Sequence, residues 1–178
     1  MNLAVDHMPA CDEQAVGAEA FREGMARVAG AVHIITSADG AAVAGTTATA
    51  VCSVSDSPPT LLVCLHRQGR LHGMLRPGSA LAVNTLRAGQ EELAGIFAGK
   101  GAIPMEERFR NGNWHFEQGG APCLLDGVAS FQCRVESLTS SGSHSIVICK
   151  VLGVRTGDVP HALIYGMRRY AHVRLSQP

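Results

Sequence analysis

The alternation of apolar and polar residues predicts a chain built mostly from strands. From Val128 to Val135, apolar residues occupy every second position, which is typical of a strand with one buried face. Leu61 to Leu65 is a continuous apolar run, as expected for a strand buried on both faces. The same criteria predict further strands at residues 32–36, 80–86, 145–154 and 162–165.

Two segments show a clear helical period. Residues 18–30 place Phe21, Met25 and Val28 at i, i+4 and i+7, and a glycine ends the pattern. Residues 91–98 begin with two acidic residues and present apolar side chains on one face; a shorter helix is predicted at 71–75. Helices do not alternate with strands, and no G-x-G-x-x-G follows a strand. The pattern therefore disfavours a doubly wound nucleotide-binding fold and favours an antiparallel barrel.

The segment from Gly45 to His66 is rich in small and hydroxylated residues. An Asp39-Gly40 hairpin signal leads into it, and a turn at residues 56–59 divides it into a polar strand and the apolar strand. Its first half contains Thr46, Thr47, Ala48, Thr49, Ala50, Ser53 and Ser55. Hydroxyls and free N–H groups bind phosphate oxygens, while Ala and Gly let a planar ring lie against the main chain. The alternative is an edge strand whose hydroxyls face solvent.

Composition argues against several classes of protein and of binding site. The 178 residues predict a short tail (1–15) and a single domain (16–178). Net charge is zero, which argues against a nucleic-acid or anionic-membrane surface. Six cysteines without a C-x-x-C pair, and eight histidines without ligand spacing, predict no metal site. No signal peptide or membrane-length apolar run is present, so a cytoplasmic protein with reduced thiols is expected.

Several motifs, in order, resemble the flavin reductase-like family over residues 21–170. They are Phe21-Arg22-Glu23-Gly24-Met25-Ala26, the run Thr49 to Ser55, Pro58-Pro59, Val83-Asn84-Thr85-Leu86 with Gln90, and Met105-Glu106-Glu107-Arg108-Phe109 ahead of Trp114. Within the family, the chain is most similar to the small reductase components of 4-hydroxyphenylacetate 3-monooxygenases and to the flavin reductases of pyrimidine utilisation.

The resemblance implies a mainly β protein, a split β-barrel with antiparallel, Greek-key-like connections and flanking helices. It implies that NADH or NADPH reduces FMN or FAD by hydride transfer in a homodimer. The reduced flavin would then pass to a separate monooxygenase component. Two alternatives stay open: a reductase of the same fold acting on another acceptor, such as a cobalt-corrin, and a flavin-binding module without turnover.

The resemblance also implies the flavin-binding positions. They are Val43, Ala44, Gly45, Thr46 and Thr47 beside the ring system; Thr49, Ala50 and Val51 at its polar edge through backbone groups; Cys64, Leu65 and His66 beside the ribityl chain and phosphate; Arg70, as the phosphate cation, with Leu71; Ile96 and Phe97 as a closing wall; and Tyr165 and Arg169 near the pyridine nucleotide. Ile96 and Phe97 could equally be core residues. Arg168 could take the place of Arg169 beside the nucleotide, and both arginines could equally be solvated. His66 departs from the family, where asparagine is frequent.

One histidine is the candidate catalytic residue. His144 lies in Gly142-Ser143-His144, where the family commonly has Gly-Asp-His, and the resemblance implies that it borders the nicotinamide. Ser143 removes a carboxylate that could orient the imidazole ring. The alternative is a structural histidine at the start of a strand.

Overall fold

The computed structural model describes residues 15–159 and 161–174. The helices are α1 (Ala18–Ala26), α2 (Arg70–Met74), α3 (Glu91–Phe97) and α4 (Met105–Arg108). The strands are β1 (Gly30–Ala31), β2 (His33–Asp39), β3 (Ala42–Ala48), β4 (Val51–Asp56), β5 (Pro59–His66), β6 (Ala80–Thr85), β7 (Trp114–His115), β8 (Cys123–Leu124), β9 (Ala129–Ser141), β10 (His144–Thr156), β11 (His161–Gly166) and β12 (Arg169–Arg174). Nearly all of the predicted tail lies outside the described residues, and the single domain stays a prediction.

The main sheet has seven antiparallel strands in the order β3-β2-β6-β9-β10-β5-β4. Its two edge strands, β3 and β4, are consecutive in the chain and are joined by Thr49 and Ala50 alone. Because so short a link spans less than about 10 Å, the sheet must curl far enough to bring the end of β3 close to the start of β4. In the described part of the chain β3 and β4 do not pair with each other. We call this opening between them the seam. The mainly β, antiparallel architecture is confirmed.

Three predicted details differ from the structure. The polar half of the segment 45–66 is two strands, because the chain turns away from the sheet edge at Thr49 and Ala50. The apolar run in β5 is not buried on both faces: Leu62 and Cys64 are only half-buried, since they alternate with the inward Leu61 and Val63. The pattern predicts no strand after residues 162–165, but the chain turns at Met167 and Arg168 and continues as strand β12.

Apolar side chains form two large clusters on opposite faces of β2. Ile35 belongs to the cluster inside the curled sheet, with Val63, Val83 and Val147. Its neighbour Ile34 belongs to the cluster between the sheet and α3. Successive residues of a strand point to opposite faces, so β2 is buried on both sides and fixes α3 against the sheet.

The Val83-Asn84-Thr85-Leu86 motif holds strands together. The Asn84 side chain is fully buried; its amide donates to the Ile34 carbonyl at 3.0 Å, and its carbonyl oxygen accepts from the Leu124 N–H at 2.8 Å and the Ser130 hydroxyl at 2.9 Å. Buried polar groups are stable when their partners are complete. This motif is therefore structural.

The predicted helix α1 forms, but its apolar side chains do not enter the core. Phe21, Met25 and Val28 are 59%, 50% and 61% exposed. The helix is tied to the β11–β12 turn instead, where the Met167 N–H donates to the Ala26 carbonyl and Arg168 forms an ion pair with Glu23 at 2.8 Å. Among the helices of the described residues, none has the length and apolarity needed to cross a bilayer.

Candidate functional site

Two adjoining cavities open at the seam. The first, of about 430 Å³, lies between the end of β3, the Thr49–Ala50 link, the end of β5 and the β11–β12 hairpin. The second, of about 280 Å³, lies between β3, the start of α2 and the end of α3. They share Thr46, Leu65, His66 and Ala98, so they are two compartments of one site. Together they are large enough for an extended ligand.

Strand β3 lines both cavities and packs against α3. The Thr47 hydroxyl donates to the Ala94 carbonyl at 2.6 Å, which fixes β3 to α3. Gly45 faces Phe97 so closely that an added Cβ would lie 2.6 Å from the Cε1 atom of the ring. A glycine is required here because no side chain fits between the strand and Phe97. Strand β3 and the Phe97 ring are therefore in direct contact beside the second cavity.

Two residues of the seam, Thr49 and Ala50, line the first cavity and carry backbone N–H groups that are free within the described part of the chain. The carbonyls of Thr49 and Ala50 accept from the N–H groups of Val51 and Cys64, both at 3.0 Å. The N–H groups of Thr49 and Ala50 have no acceptor among the described residues, and both residues are exposed. Backbone N–H groups require a partner. A planar ligand with acceptor atoms on one edge would satisfy both.

Two histidines stand at the mouth of the first cavity. His66 and His144 are directly paired between β5 and β10, and their rings meet edge to face with centroids 5.1 Å apart. The His66 Nδ1 accepts from the Gln68 N–H at 3.3 Å, which leaves its Nε2 free to carry the proton. The His144 Nδ1 lies 2.9 Å from the Ser143 hydroxyl. Ser143 therefore contacts the ring that the family's aspartate was expected to orient.

The second cavity is lined by two guanidinium groups. Arg70, the first residue of α2, forms an ion pair with Glu106 of α4 at 2.6 Å. Arg108 donates from Nε to the Ile103 carbonyl at 2.9 Å and from Nη1 to the Phe97 carbonyl at 3.5 Å, which holds it beside the end of α3. Guanidinium groups bind phosphate through paired N–H donors.

The β11–β12 hairpin supplies an aromatic wall. Tyr165 and Tyr170 are paired in register with ring centroids 5.2 Å apart, and both line the first cavity. Burial raises the pKa of Tyr170, and Tyr165 and Glu91 add to the shift. Arg169 precedes Tyr170 on the strand and therefore points to the opposite face. Tyr170, rather than Arg169, is the hairpin's second contribution to the cavity.

Most of the expected site residues meet at these cavities. The first cavity contains Thr46, Thr47, Thr49, Ala50, Cys64, Leu65, His66, His144 and Tyr165, and the second contains Gly45, Thr46, Leu65, His66, Arg70, Leu71 and Phe97. Residues that were not anticipated are Val32, Ala48, Gly69, His72, Ala98, Gly99, Met105, Arg108 and Tyr170.

Five expected residues lie away from both cavities. Ala44 is buried in the cluster inside the sheet, and Val51 packs against that same cluster. Ile96 belongs to the cluster between the sheet and α3, where Val43 also packs. Arg169 is exposed. Successive residues of β3 and of α3 point in different directions. Gly45 and Phe97 therefore line the second cavity, whereas their neighbours Ala44 and Ile96 do not.

A flavin fits the groups that this site provides. The seam donors suit the polar edge of a ring system, the small residues of β3 suit its face, and Arg70 and Arg108 suit a phosphate. Residues 25–174 match the family described as "Flavin reductase like domain". The chain belongs to this family of flavin reductase-like proteins, as its motifs predicted.

Particular relatives have more specific names. The chain is 46% identical over 152 residues to the FMN reductase (NADH) RutF of Cronobacter sakazakii, covering 85% of this chain and 90% of that protein. The structure of the flavin reductase HpaC complexed with NADP+ matches with a TM-score of 0.78 at 27% identity, over 88% of this chain and 98% of that one. BorF, the flavin reductase component of a bacterial two-component tryptophan halogenase, matches with a TM-score of 0.80 at 26% identity, over 89% and 99% of the two chains.

Proposed function

We propose that this protein is an NAD(P)H-dependent flavin reductase that reduces FMN or FAD by hydride transfer. The observation that supports it most directly is the seam, where Thr49 and Ala50 line the first cavity and their N–H groups have no acceptor among the described residues. Membership of the flavin reductase-like family and the likeness to RutF agree with this activity.

In this proposal the residues bind and orient, and the bound groups react. When bound, the flavin supplies the hydride acceptor and the reduced nicotinamide supplies the hydride. The Thr49 and Ala50 N–H groups hold the polar edge of the ring, and Arg70 and Arg108 hold the phosphate. His144 and the two tyrosines line the same cavity, where they would orient the nicotinamide and exclude water.

In this proposal the protein contributes to catalysis by positioning the two reacting rings. Hydride transfer requires stacked rings with the reacting atoms roughly 3–3.5 Å apart. His144 lines the first cavity together with Thr49 and Ala50. In this proposal its imidazole would contact the donor ring, so its contribution would be to the geometry of the hydride step and to nucleotide binding.

The proposal includes a homodimer, a partner oxygenase and a cytoplasmic location. The exposed apolar face of α1 supports self-association, as do Val54, Leu152 and Val154, which are 50%, 57% and 58% exposed. BorF is named as a component of a two-component system, which supports transfer of reduced flavin to an oxygenase. Sedimentation velocity of the purified protein, expected at twice the chain mass, tests the dimer.

The activity is tested by mixing the purified protein with FMN or FAD and then adding NADH or NADPH. Loss of the yellow flavin absorbance, with many turnovers when free flavin is in excess, is the expected result. A single reduction of tightly retained flavin, without turnover of free flavin, would favour a reductase for another acceptor such as a cobalt-corrin. Flavin that binds and stays oxidised would favour a non-catalytic binding module.

A further inference from the structure

One ion pair beside the second cavity is not explained by flavin binding. Arg70 lines the cavity, but its Nη2 lies 2.6 Å from the Glu106 Oε1. Glu106 does not line the cavity itself; it reaches Arg70 from α4, 36 residues further along the chain. The cation expected to receive a phosphate is therefore already bound to a carboxylate.

Glu106 is held in the charged form that this contact needs. A hydrogen bond from its own backbone N–H, followed by the hydrogen bond from Arg70, keeps the pKa of the Glu106 carboxyl below its ordinary value. Both partners are about half exposed, with side-chain exposures of 49% for Arg70 and 59% for Glu106. Ion pairs this exposed are weak, so a ligand anion can replace the carboxylate.

The second guanidinium differs from Arg70 in its partners. Arg108 donates to two backbone carbonyls, which are neutral acceptors, and these bonds fix its direction without neutralising its charge. Glu106 and Arg108 lie on the same short helix, α4. This helix therefore supplies the cavity with one cation and attaches a competing anion to the other.

We propose that Glu106 is a specificity-determining residue whose carboxylate competes with the flavin phosphate for Arg70. In the ligand-free site Glu106 neutralises Arg70; on binding, the phosphate takes Arg70 and Glu106 is released to solvent. The competition lowers the affinity for phosphorylated flavins and leaves the affinity for the unphosphorylated ring unchanged. A weakened grip on the phosphate suits an enzyme whose product has to leave. This inference rests on the proposed function, because it takes Arg70 as the phosphate cation.

The test compares FMN with riboflavin, which shares its ring system but lacks the phosphate. We measure both dissociation constants by flavin fluorescence for the parent and for Glu106→Gln. The variant should bind FMN about two- to fivefold more tightly, a size set by the weakness of exposed ion pairs, and should bind riboflavin as the parent does. Glu107→Gln is the matched control. It removes the same charge from the next residue of α4, which is exposed and lies outside both cavities, and should change neither constant.

The Arg70→Ala variant tests the phosphate site separately from the competition by Glu106. It should weaken FMN binding about tenfold or more, because charge-assisted contacts to phosphate are lost, with little effect on riboflavin. If Arg70→Ala does so while Glu106→Gln leaves FMN binding unchanged or weaker, the competition is refuted and the phosphate site stands. If Arg70→Ala leaves FMN binding unchanged, the assignment of Arg70 to the phosphate is refuted, and this inference with it. If neither flavin binds the parent, the proposed function itself is refuted.

Discussion

Replacing Gly45 by alanine is the most direct test of how β3 meets α3. The added Cβ would lie 2.6 Å from Cε1 and 2.8 Å from Cδ1 of Phe97. Carbon atoms in contact are normally about 3.5–4.0 Å apart, so the ring has to move by about 1 Å. Phe97 is 1% exposed, and its ring centroid lies 5.1 Å from that of Phe109 and 5.4 Å from that of Trp114. Its neighbours therefore resist the movement.

The expected cost follows from overpacking a closed site. Gly45→Ala should lower the free energy of unfolding by about 1–3 kcal/mol. For a chain of this length, that lowers the melting temperature by roughly 2–12 °C. Urea denaturation measures it, and the fluorescence of Trp114 reports the transition because this tryptophan packs on Phe97. Gly24→Ala is the control: its Cβ would meet nothing within 4 Å, and it lies inside α1, so stability should stay equal or rise.

Combining Gly45→Ala with Phe97→Leu tests whether contact with Phe97 causes the loss of stability. In a Phe97→Leu background the smaller side chain leaves room for the Cβ, so the further loss caused by Gly45→Ala should be smaller than in the parent. The reasoning would be refuted if Gly45→Ala unfolded within about 0.5 kcal/mol of the parent. An equal loss in both backgrounds would show that Phe97 is not what excludes a side chain at Gly45.

Three further predictions concern the site and the core. Ala50→Phe should fill the first cavity and raise the dissociation constant of FMN at least tenfold with an unchanged melting temperature, whereas Ala41→Phe, in the exposed β2–β3 turn, should bind normally. His144→Ala should slow flavin reduction by NADH in stopped-flow measurements and raise the KM for NADH with little change in flavin affinity; equal rates would make His144 structural. Burial lowers the pKa of His33 to about 4, so between pH 6.5 and 4 the unfolded chain binds the extra proton and stability falls as the pH falls. His33→Gln should remove on the order of 3 kcal/mol of that loss in urea titrations at pH 7 and pH 4; parallel curves for variant and parent would contradict it.

The sequence predicted best what depends on local pattern. The alternation in β9 and the hairpin signal at Asp39-Gly40 correspond to observed elements. The β11–β12 hairpin was not recognised because its turn carries Met167 and Arg168 at φ 51° and 56°, where glycine or asparagine would have signalled a hairpin turn with positive φ. Without that signal the strand after the turn was not recognised, and Arg169 was chosen in place of Tyr170.

Contacts between residues far apart in the chain could not be predicted from the sequence. The ion pair between Arg70 and Glu106, and the position of Arg108 in the same cavity, depend on how residues 99–122 fold back over β3. No local period encodes that path. The helical period of α1 was right about the helix, but it also implied a buried face, and Phe21 and Met25 are exposed. A helical period identifies an apolar face of the helix, but it does not identify what packs against that face.

The edge of β3 has a consequence for solubility. An uncovered strand edge is a template on which another chain can add a strand, and natural sheets protect such edges. Along β3 the protection comes from the helices: the Gly45 N–H donates to the Met105 sulfur at 3.3 Å, and the Thr47 hydroxyl anchors α3 alongside. This cover stops before Thr49, where β3 has ended, and the two link residues there line the first cavity. We expect a ligand in that cavity to cover their N–H groups, so that ligand occupancy lowers the tendency to edge-to-edge aggregation.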